Sequence, residues 1–326
     1  MDKICTRVKS KHKEFDALIP FSGGKDSSYV LYVAKKELGL NCLAVTADNG
    51  YLSEYAKNNI DKACRKLGVE HIYYCFNKKL MNRLYALFVR KTGYPCSVCM
   101  RTIAVGINKV ADMYNIPLVI QGTSLKTELP LSREMAEHGH LPHVRSVLKG
   151  EPIATECKRI LFDKSVRRKI GHALFELSGR KRPITYAWFN LADYIDWNYK
   201  TIIVTIQREL DWTAPAETEH MDCIIHPIQK YIQIRRFPNL DLDRLKLARL
   251  IMAGQITREE ALRKIETPAE QCPTSVLKLF LNSIEMSKDE FDNFIDKGPR
   301  HLQYNSPTFI EKIVRIVFSN QGAARY

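Results

Sequence analysis

The chain has 326 residues, of which 45% are hydrophobic and 26% are charged. This balance is typical of a globular protein, and no apolar run is as long as a membrane span, so a role within a membrane is excluded. The first residues lack the apolar core of a signal peptide, which predicts a cytoplasmic protein. The formal net charge of +14 favours an anionic partner, such as a nucleotide or a nucleic acid.

Buried strands alternate with amphipathic helices along the first third of the chain. The strands are predicted at residues 16–20, 41–47, 70–75 and 117–121. The helices are predicted at residues 29–38, 53–67, 79–92 and 99–114, with Gly68 and Gly93 as stop signals. This alternation predicts an α/β fold with a doubly wound parallel sheet.

After residue 123 the alternation weakens, and the rest of the chain is predicted to be mostly helical. Thr257 and Glu260 form a capping-box pattern at the start of one of these helices. We therefore divide the chain into an α/β domain over residues 1–126 and a mostly helical region over residues 127–326. The second region is expected to bind the substrate and to supply one metal ligand.

The first predicted strand and helix are connected by the loop Phe21-Ser22-Gly23-Gly24-Lys25-Asp26-Ser27-Ser28. Gly23 and Gly24 allow positive φ angles and a close approach of the backbone to a ligand. The free N–H groups at the helix start favour an anion, and Lys25 adds a positive charge. Asp26 is a candidate either to cap the helix or to approach a bound magnesium ion. The loop is predicted to bind phosphate, with an ordinary strand-to-helix turn as the alternative.

Ligands of doubly wound sheets bind beyond the carboxyl ends of the strands, near the point where the strand order reverses. The loop lies at one such end. Asp48 follows the second predicted strand, and Gly122 follows the fourth, so we expect both to lie at the same edge as the loop. For Asp48 the alternative is a turn residue before Asn49 and Gly50.

Nine cysteines in a chain of this size do not make a disulfide framework. Cys96 and Cys99 form a Cys-x-x-Cys pair before a predicted helix, and a helix N-terminus lowers the pKa of a thiol, so we expect thiolates near neutral pH. Three interpretations are open: part-buried thiols without chemistry, half of a structural zinc site, or two ligands of a three-cysteine metal site with one open position. No second Cys-x-x-Cys is present, which disfavours zinc. Cys223 is the candidate third ligand, and Cys157 is the next choice.

The string Ser22-Gly23-Gly24-Lys25-Asp26-Ser27 resembles the PP-loop of the ATP pyrophosphatases, also called adenine nucleotide α-hydrolases. The resemblance implies an enzyme that binds the pyrophosphate of ATP on this loop with Mg²⁺ and releases AMP and pyrophosphate. Lys25 and Asp26 would then be catalytic. Ala47 and Asp48 would line the base or metal side of the nucleotide, and Gly122 would line the ribose side.

The segment from Pro95 to Arg101 resembles the iron–sulfur thiolases that modify tRNA or a free purine nucleotide. In those enzymes a Cys-x-x-Cys at this place and a later cysteine hold a [4Fe–4S] cluster. Cys96 and Cys99 match residue by residue, whereas Cys223 matches only in role. The resemblance implies a catalytic role for the pair, a nucleotide or tRNA acceptor, and a sulfur donor such as a cysteine desulfurase or lyase. The resemblance is also compatible with a homodimer.

Other segments point to a neighbouring branch of the same superfamily. Ile120-Gln121-Gly122 and the stretch from Thr257 to Ala261 resemble the N-acetyl sugar amidotransferases of lipopolysaccharide synthesis, which use ammonia from a partner glutaminase. Arg101, Lys126 and the aromatic residues 186–197 are candidates to bind an acceptor, although core packing also explains the aromatic residues. Sulfur transfer is the function we predict, with ammonia transfer as the alternative.

Overall fold

The structure is a computed structural model. It describes residues 14–116, 118–123, 141–162, 187–214, 222–236, 242–266 and 272–297. The strands are β1 (Ala17–Pro20), β2 (Cys42–Asp48), β3 (Glu70–Cys75), β4 (Leu118–Gln121) and β5 (Ala187–Asn190). The helices of the first part are α1 (Lys25–Tyr32, continued by a π-helical turn over Val33–Glu37), α2 (Glu54–Leu67), α3 (Lys78–Thr92) and α4 (Cys96–Met113). The later helices are α5 (Leu141–Leu148), α6 (Lys158–Leu161), α7 (Tyr199–Leu210), α8 (His226–Arg236), α9 (Leu242–Met252), α10 (Arg258–Glu266), α11 (Thr274–Ser283) and α12 (Lys288–Asp296).

The five strands form one parallel sheet in the order β3-β2-β1-β4-β5. Leu18 of β1 lies beside Leu43 of β2 on one side and beside Val119 of β4 on the other. The strand order therefore reverses at β1, which is the position where a doubly wound sheet opens a crevice for ligands. The predicted α/β fold with a mostly helical second half is confirmed, and the glycine-rich loop follows the central strand.

The fifth strand was not predicted. Ala187–Asn190 pairs in parallel with β4, from Leu118 beside Ala187 to Gln121 beside Asn190. The sheet thus takes its last strand from beyond residue 126, and the division of the chain at that residue stays a prediction. Phe189 and Trp197 are buried, so in the described part of the aromatic segment these two rings serve the core. Tyr186 lies outside the described residues.

Two helix starts differ from the sequence expectation. α1 begins at Lys25 and α4 begins at Cys96, in each case earlier than apolar periodicity indicated. Periodicity misses such first turns because they hold few apolar residues, so the repeat becomes visible only further along the helix. Other signals are confirmed: Gly68 and Gly93 end α2 and α3 in the left-handed conformation. The Thr257–Glu260 capping box is also confirmed.

Two hydrophobic cores border the carboxyl ends of the strands, the edge at which doubly wound sheets bind their ligands. The first covers one face of the sheet and packs α1 and α2 against α7, with Trp197 and Trp212 at its margin. The second packs α3 and the start of α4 against α8, α11 and α12 around Tyr85 and Phe280. Cys96, Cys99 and Cys223 border this second core. None of the helices in the described ranges is both long and apolar enough to span a membrane.

Candidate active site

The loop after β1 is closed by its own serines. Ser22 Oγ and Ser27 Oγ lie 3.2 Å apart, and Ser27 Oγ donates a hydrogen bond to the Gly24 carbonyl at 3.1 Å. The Ser22 N–H also donates to Ser27 Oγ, at 3.3 Å. These bonds curl the backbone so that the loop leads directly into the first turn of α1, and they give it the cradle shape that suits a phosphate group.

Gly23 is the position where the loop requires glycine. Its φ is +77°, and a Cβ atom there would lie 2.4 Å from the Ala56 carbonyl oxygen of α2. Its own carbonyl accepts hydrogen bonds from Trp212 Nε1 at 3.0 Å and from Asn59 Nδ2 at 3.3 Å. α2 and the segment after α7 therefore hold the loop from outside, so the cradle is rigid before any ligand arrives.

We expect Gly23→Ala to lower the free energy of unfolding by about 3 kcal/mol, because it adds a backbone clash to an unfavourable φ. Gly150→Ala is the matched control, since Gly150 has a φ of +78° but a Cβ atom added to it would meet no other atom within 4 Å. The control should cost about 1 kcal/mol, from the left-handed conformation alone. Urea unfolding of both variants measures the difference, and equal costs would show that α2 does not press on the loop.

Lys25 and Asp26 lie in the first turn of α1. Lys25 Nζ is 2.6 Å from Asp26 Oδ2 and 3.9 Å from the centre of the Tyr199 ring. Asp26 does not cap the helix: the N-cap is Gly24, and no side chain caps it. Asp26 Oδ1 is buried and has no hydrogen-bond partner among the described residues. A buried carboxylate oxygen without a partner is costly unless a cation completes it, so Asp26 fits a magnesium ligand.

The ends of β2 and β4 frame the loop. A Cβ atom on Gly122 would lie 2.9 Å from Val30 Cγ2 and 3.1 Å from the Asp26 carbonyl, so glycine lets the end of β4 pack on α1. Asp48 Oδ1 accepts a hydrogen bond from the Gly50 N–H at 2.8 Å. Asp48 thus shapes a turn, which is the alternative to a role in ligand binding that the sequence left open. Roles for Ala47, Asp48 and Gly122 in nucleotide binding stay predictions, and Lys126 lies outside the described residues.

Cys223 is brought to this edge by the segment that follows β2. Leu52 and Cys223 form an isolated antiparallel bridge. The Ile224 N–H donates to the Tyr51 carbonyl at 2.9 Å, and the Ser53 N–H donates to the Asp222 carbonyl at 3.1 Å. The two hydrogen bonds of this bridge therefore hold Cys223, which is far from Cys96 and Cys99 in sequence, next to the end of β2.

The part-buried thiols of Cys96, Cys99 and Cys223 are neighbours. Burial raises the pKa of Cys96 well above its usual range, and the neighbouring thiols of Cys99 and Cys223 raise it further. Burial raises the pKa of Cys223 to about 12, and Cys99 again adds to the shift. The expectation of a lowered thiol pKa is therefore wrong for this structure, because loss of hydration outweighs the effect of the helix start.

Cys157 does not belong to this group. It is fully buried in the second core, and burial raises its pKa to about 12. The charged groups that act on it are Glu156 and Arg83, with no contribution from the three other cysteines. Of the two candidates for a third sulfur, the structure brings Cys223 to the pair. Arg101, a candidate to bind the acceptor, donates through Nε to the Leu161 carbonyl at 2.7 Å.

Two polar side chains at the cysteines were missed by sequence reasoning. Tyr85 Oη lies 3.0 Å from Cys99 Sγ, and Asn49 Nδ2 donates to the same sulfur at 3.3 Å. Both interactions favour the charged form of Cys99 and act against the raised pKa that burial gives it. Asn49 also interacts with Cys223. The sequence held no local signal for Tyr85, whose position on a buried helix face is typical of a core residue.

The cysteine site and the loop are continuous. A Cβ atom on Gly24 would lie 3.7 Å from Asp222 Oδ2, so the residue before Cys223 touches the loop. Asn49 links the two regions from the other side, since it follows Asp48 directly and contacts Cys99. Within the described ranges, no three His, Cys, Asp or Glu side chains are arranged to hold a single metal ion. An iron–sulfur cluster takes each thiolate on a different iron, and the all-sulfur set of donors suits it.

Comparison with known proteins adds a family match in the second half. Residues 198–316, which include Cys223, match the family described as "LPS biosynthesis protein WbpG-like, C-terminal domain". An uncharacterized protein of Methanocaldococcus jannaschii is 28% identical over 141 residues, which are 42% of this chain and 48% of that protein. The chain thus spans about half the length of this curated relative.

Two solved structures are also similar. The U34-tRNA thiolase NcsA from Methanococcus maripaludis, solved with its [4Fe-4S] cluster, is 15% identical with a TM-score of 0.38, covering 83% of this chain and 80% of its own. The NH3-dependent NAD synthetase from Campylobacter jejuni is 17% identical with a TM-score of 0.32, covering 64% and 90%. The match of residues 198–316 agrees with the resemblance to the lipopolysaccharide branch that the stretch from Thr257 to Ala261 indicated. The chain thus joins a five-stranded parallel sheet, with the glycine-rich loop after its central strand, to a C-terminal region similar to that of WbpG-like proteins of lipopolysaccharide biosynthesis.

Proposed function

We propose that this protein uses ATP to activate an oxygen of its acceptor and then replaces that oxygen with sulfur. One observation carries the proposal: the part-buried thiols of Cys96, Cys99 and Cys223 are neighbours, and Asp222, next to Cys223, lies against Gly24 of the loop. Asp222 touches the loop on one side of this place and Asn49 follows Asp48 on the other, so a reactive sulfur held there would lie beside the activated acceptor.

In the first step, an acceptor carbonyl oxygen attacks the α-phosphorus of ATP. The bond from that phosphorus to the bridging oxygen breaks, and pyrophosphate leaves with the electron pair. The loop N–H groups and Lys25 would stabilise the charge that develops on the leaving group. Asp26, through its unpartnered Oδ1, would hold the magnesium ion that accompanies the phosphates. The products of this step are an O-adenylated acceptor and pyrophosphate.

In the second step, hydrosulfide adds to the activated carbon, and AMP leaves with the electron pair of the carbon–oxygen bond. The proton of hydrosulfide is lost to solvent, and sulfur keeps its oxidation state, so no oxidant or reductant is needed. A [4Fe–4S] cluster held by the three cysteines would supply an open iron position for the sulfide. The packing of the part-buried thiols against the second core would limit the access of water that otherwise hydrolyses the adenylate.

The acceptor in this proposal is a nucleobase, either in tRNA or as a free purine nucleotide such as GMP. A cysteine lyase would supply hydrosulfide directly, whereas a cysteine desulfurase would supply persulfide sulfur that a thiol reductant must first reduce to hydrosulfide. The net charge of +14 suits either anionic acceptor. Lys25 and the edge formed by Gly122 and Asp48 would hold ATP, which leaves the mostly helical region to bind the acceptor.

A second candidate rests on the match of residues 198–316 to the WbpG-like C-terminal domain. In this alternative, the carboxylate of an N-acetylated sugar acid is adenylated, and ammonia from a glutaminase partner displaces AMP. The first step would use the same loop residues. The three thiols would then take no part in the transfer, and their close approach would be a feature of packing only.

The two candidate functions differ in the group that displaces AMP, which is hydrosulfide in the first and ammonia in the second. Anaerobic protein is incubated with Mg-ATP, tRNA, GMP or an N-acetylated uronic-acid sugar nucleotide, and with either hydrosulfide or ammonia. We expect AMP and pyrophosphate in equal amounts, and a product heavier by the replacement of oxygen with sulfur only when hydrosulfide is present. Formation of ADP and phosphate would contradict the proposal, and an amide formed from ammonia would favour the second candidate.

A further inference from the structure

The hydrogen bonds at the three cysteines are unequal. Cys99 Sγ has both the Tyr85 hydroxyl at 3.0 Å and the Asn49 amide at 3.3 Å. Asn49 also reaches Cys223, so a single amide serves two of the three sulfurs. Cys96 Sγ lies 4.0 Å from the Gln229 side-chain carbonyl oxygen, and the Tyr94 side chain is its one hydrogen-bonding partner that favours the thiolate. Cys99 thus has two side-chain donors, whereas Cys96 has one.

Each of the two donors is itself held in one orientation. Asn49 Oδ1 accepts the Tyr51 N–H at 2.9 Å, which turns the amide N–H₂ group of Asn49 toward the sulfurs. Tyr85 is fully buried, and its ring packs between those of Tyr51 and Phe280 with centroid distances of 5.8 Å and 6.1 Å. The hydroxyl therefore has one direction available to it, and Cys99 lies there. An asparagine that only shaped a turn, or a tyrosine that only packed in the core, would not need a polar group directed at a sulfur.

We propose that Asn49 and Tyr85 are positioning residues that set the reduction potential of the cluster held by the cysteines, an inference that rests on the proposed function. A hydrogen bond to a ligating sulfur draws electron density from it and stabilises the more negative, reduced form of the cluster. Loss of either donor therefore lowers the reduction potential. Asn49 serves two sulfurs and Tyr85 one, so the loss of Asn49 has the larger effect.

The test is a redox titration of the anaerobically reconstituted full-length protein, followed by electron paramagnetic resonance. Tyr85→Phe and Asn49→Ala are each expected to shift the midpoint potential downward, more strongly for Asn49→Ala. Tyr51→Phe is the matched control, because its hydroxyl bonds Ser283 Oγ at 2.5 Å and its ring contacts Tyr85. Tyr51→Phe removes a hydroxyl near the site that makes no hydrogen bond to a sulfur. The midpoint potential of this variant should therefore equal that of the wild type.

The outcomes separate this inference from the proposed function. If the variants carry the cluster with wild-type midpoints, Asn49 and Tyr85 do not act on it, while the proposed function stands. If Tyr51→Phe shifts the midpoint as much as Tyr85→Phe does, the effect comes from general repacking and the inference falls. If the wild-type protein takes up no cluster under these conditions, the three-cysteine proposal fails and the inference falls with it.

Discussion

Replacing Cys96, Cys99 or Cys223 individually with serine is expected to reduce sulfur transfer by more than about 100-fold while pyrophosphate and the O-adenylated acceptor continue to form. The three part-buried thiols are neighbours, so the loss of any one leaves a bound cluster with one ligand fewer. The loop and the first turn of α1 contain none of these residues, and adenylation should therefore survive. Quantifying pyrophosphate and thiolated product in the same reaction separates the two steps.

Cys157→Ser and Cys64→Ser are the controls for this experiment. Both thiols are buried in apolar surroundings, so their replacement should cost about 1–2 kcal/mol of stability and leave sulfur transfer intact. If the double variant Cys96→Ser/Cys99→Ser instead keeps full activity with ammonia as the donor, the protein is an amidotransferase. If the pair matters and Cys157 matters more than Cys223, the third ligand has been assigned to the wrong residue.

Asp26→Asn should slow the formation of both AMP and pyrophosphate by about 10²–10³-fold, a loss typical of removing one electrostatic contact to a transition state. The variant keeps the shape of the side chain but removes the charge of the buried Oδ1, which has no protein partner among the described residues. It also removes the ionic partner of Lys25. Initial rates at saturating Mg-ATP measure the effect on the chemical step.

Asp61→Asn is the matched control for Asp26→Asn. Asp61 pairs with Arg65 at 2.9 Å on the exposed face of α2, away from the loop, so its loss of charge should leave the rate unchanged. Comparable rates for the Asp26 and Asp61 variants would remove Asp26 from the proposed magnesium site. A fall in unfolding free energy for Asp26→Asn would instead indicate that the carboxylate serves the fold.

The parts of the site that the sequence predicted are those made by neighbours along the chain. The loop from Ser22 to Ser27 joins a strand to a helix within a few residues, so its local geometry follows from its own residue types. The ends of β2 and β4 follow from the alternation of strands and helices. The strand β5 was missed because Ala187–Asn190 is short and lies among aromatic residues that also suit a helical core.

The parts that sequence could not predict depend on contacts between distant segments. The hydrogen bonds of Tyr85 and Asn49 with Cys99 join the buried face of α3 and the turn after β2 to the start of α4. Cys223 was chosen from the polar residues around it and by resemblance. No pattern of residue spacing in the sequence indicates the backbone bridge between Cys223 and Leu52. The thiol pKa was misjudged for a related reason, since the depth of burial depends on the packing of α8, α11 and α12.

The central claim is that three cysteines beside the loop hold a reactive iron–sulfur group. Iron and acid-labile sulfide analysis of anaerobically reconstituted protein tests it most directly. We expect about four irons and four sulfides per chain for the wild type, with the same values for Cys157→Ser. We expect almost none for the triple variant Cys96→Ser/Cys99→Ser/Cys223→Ser. A wild-type protein without iron, or a triple variant with as much iron as the wild type, would contradict it.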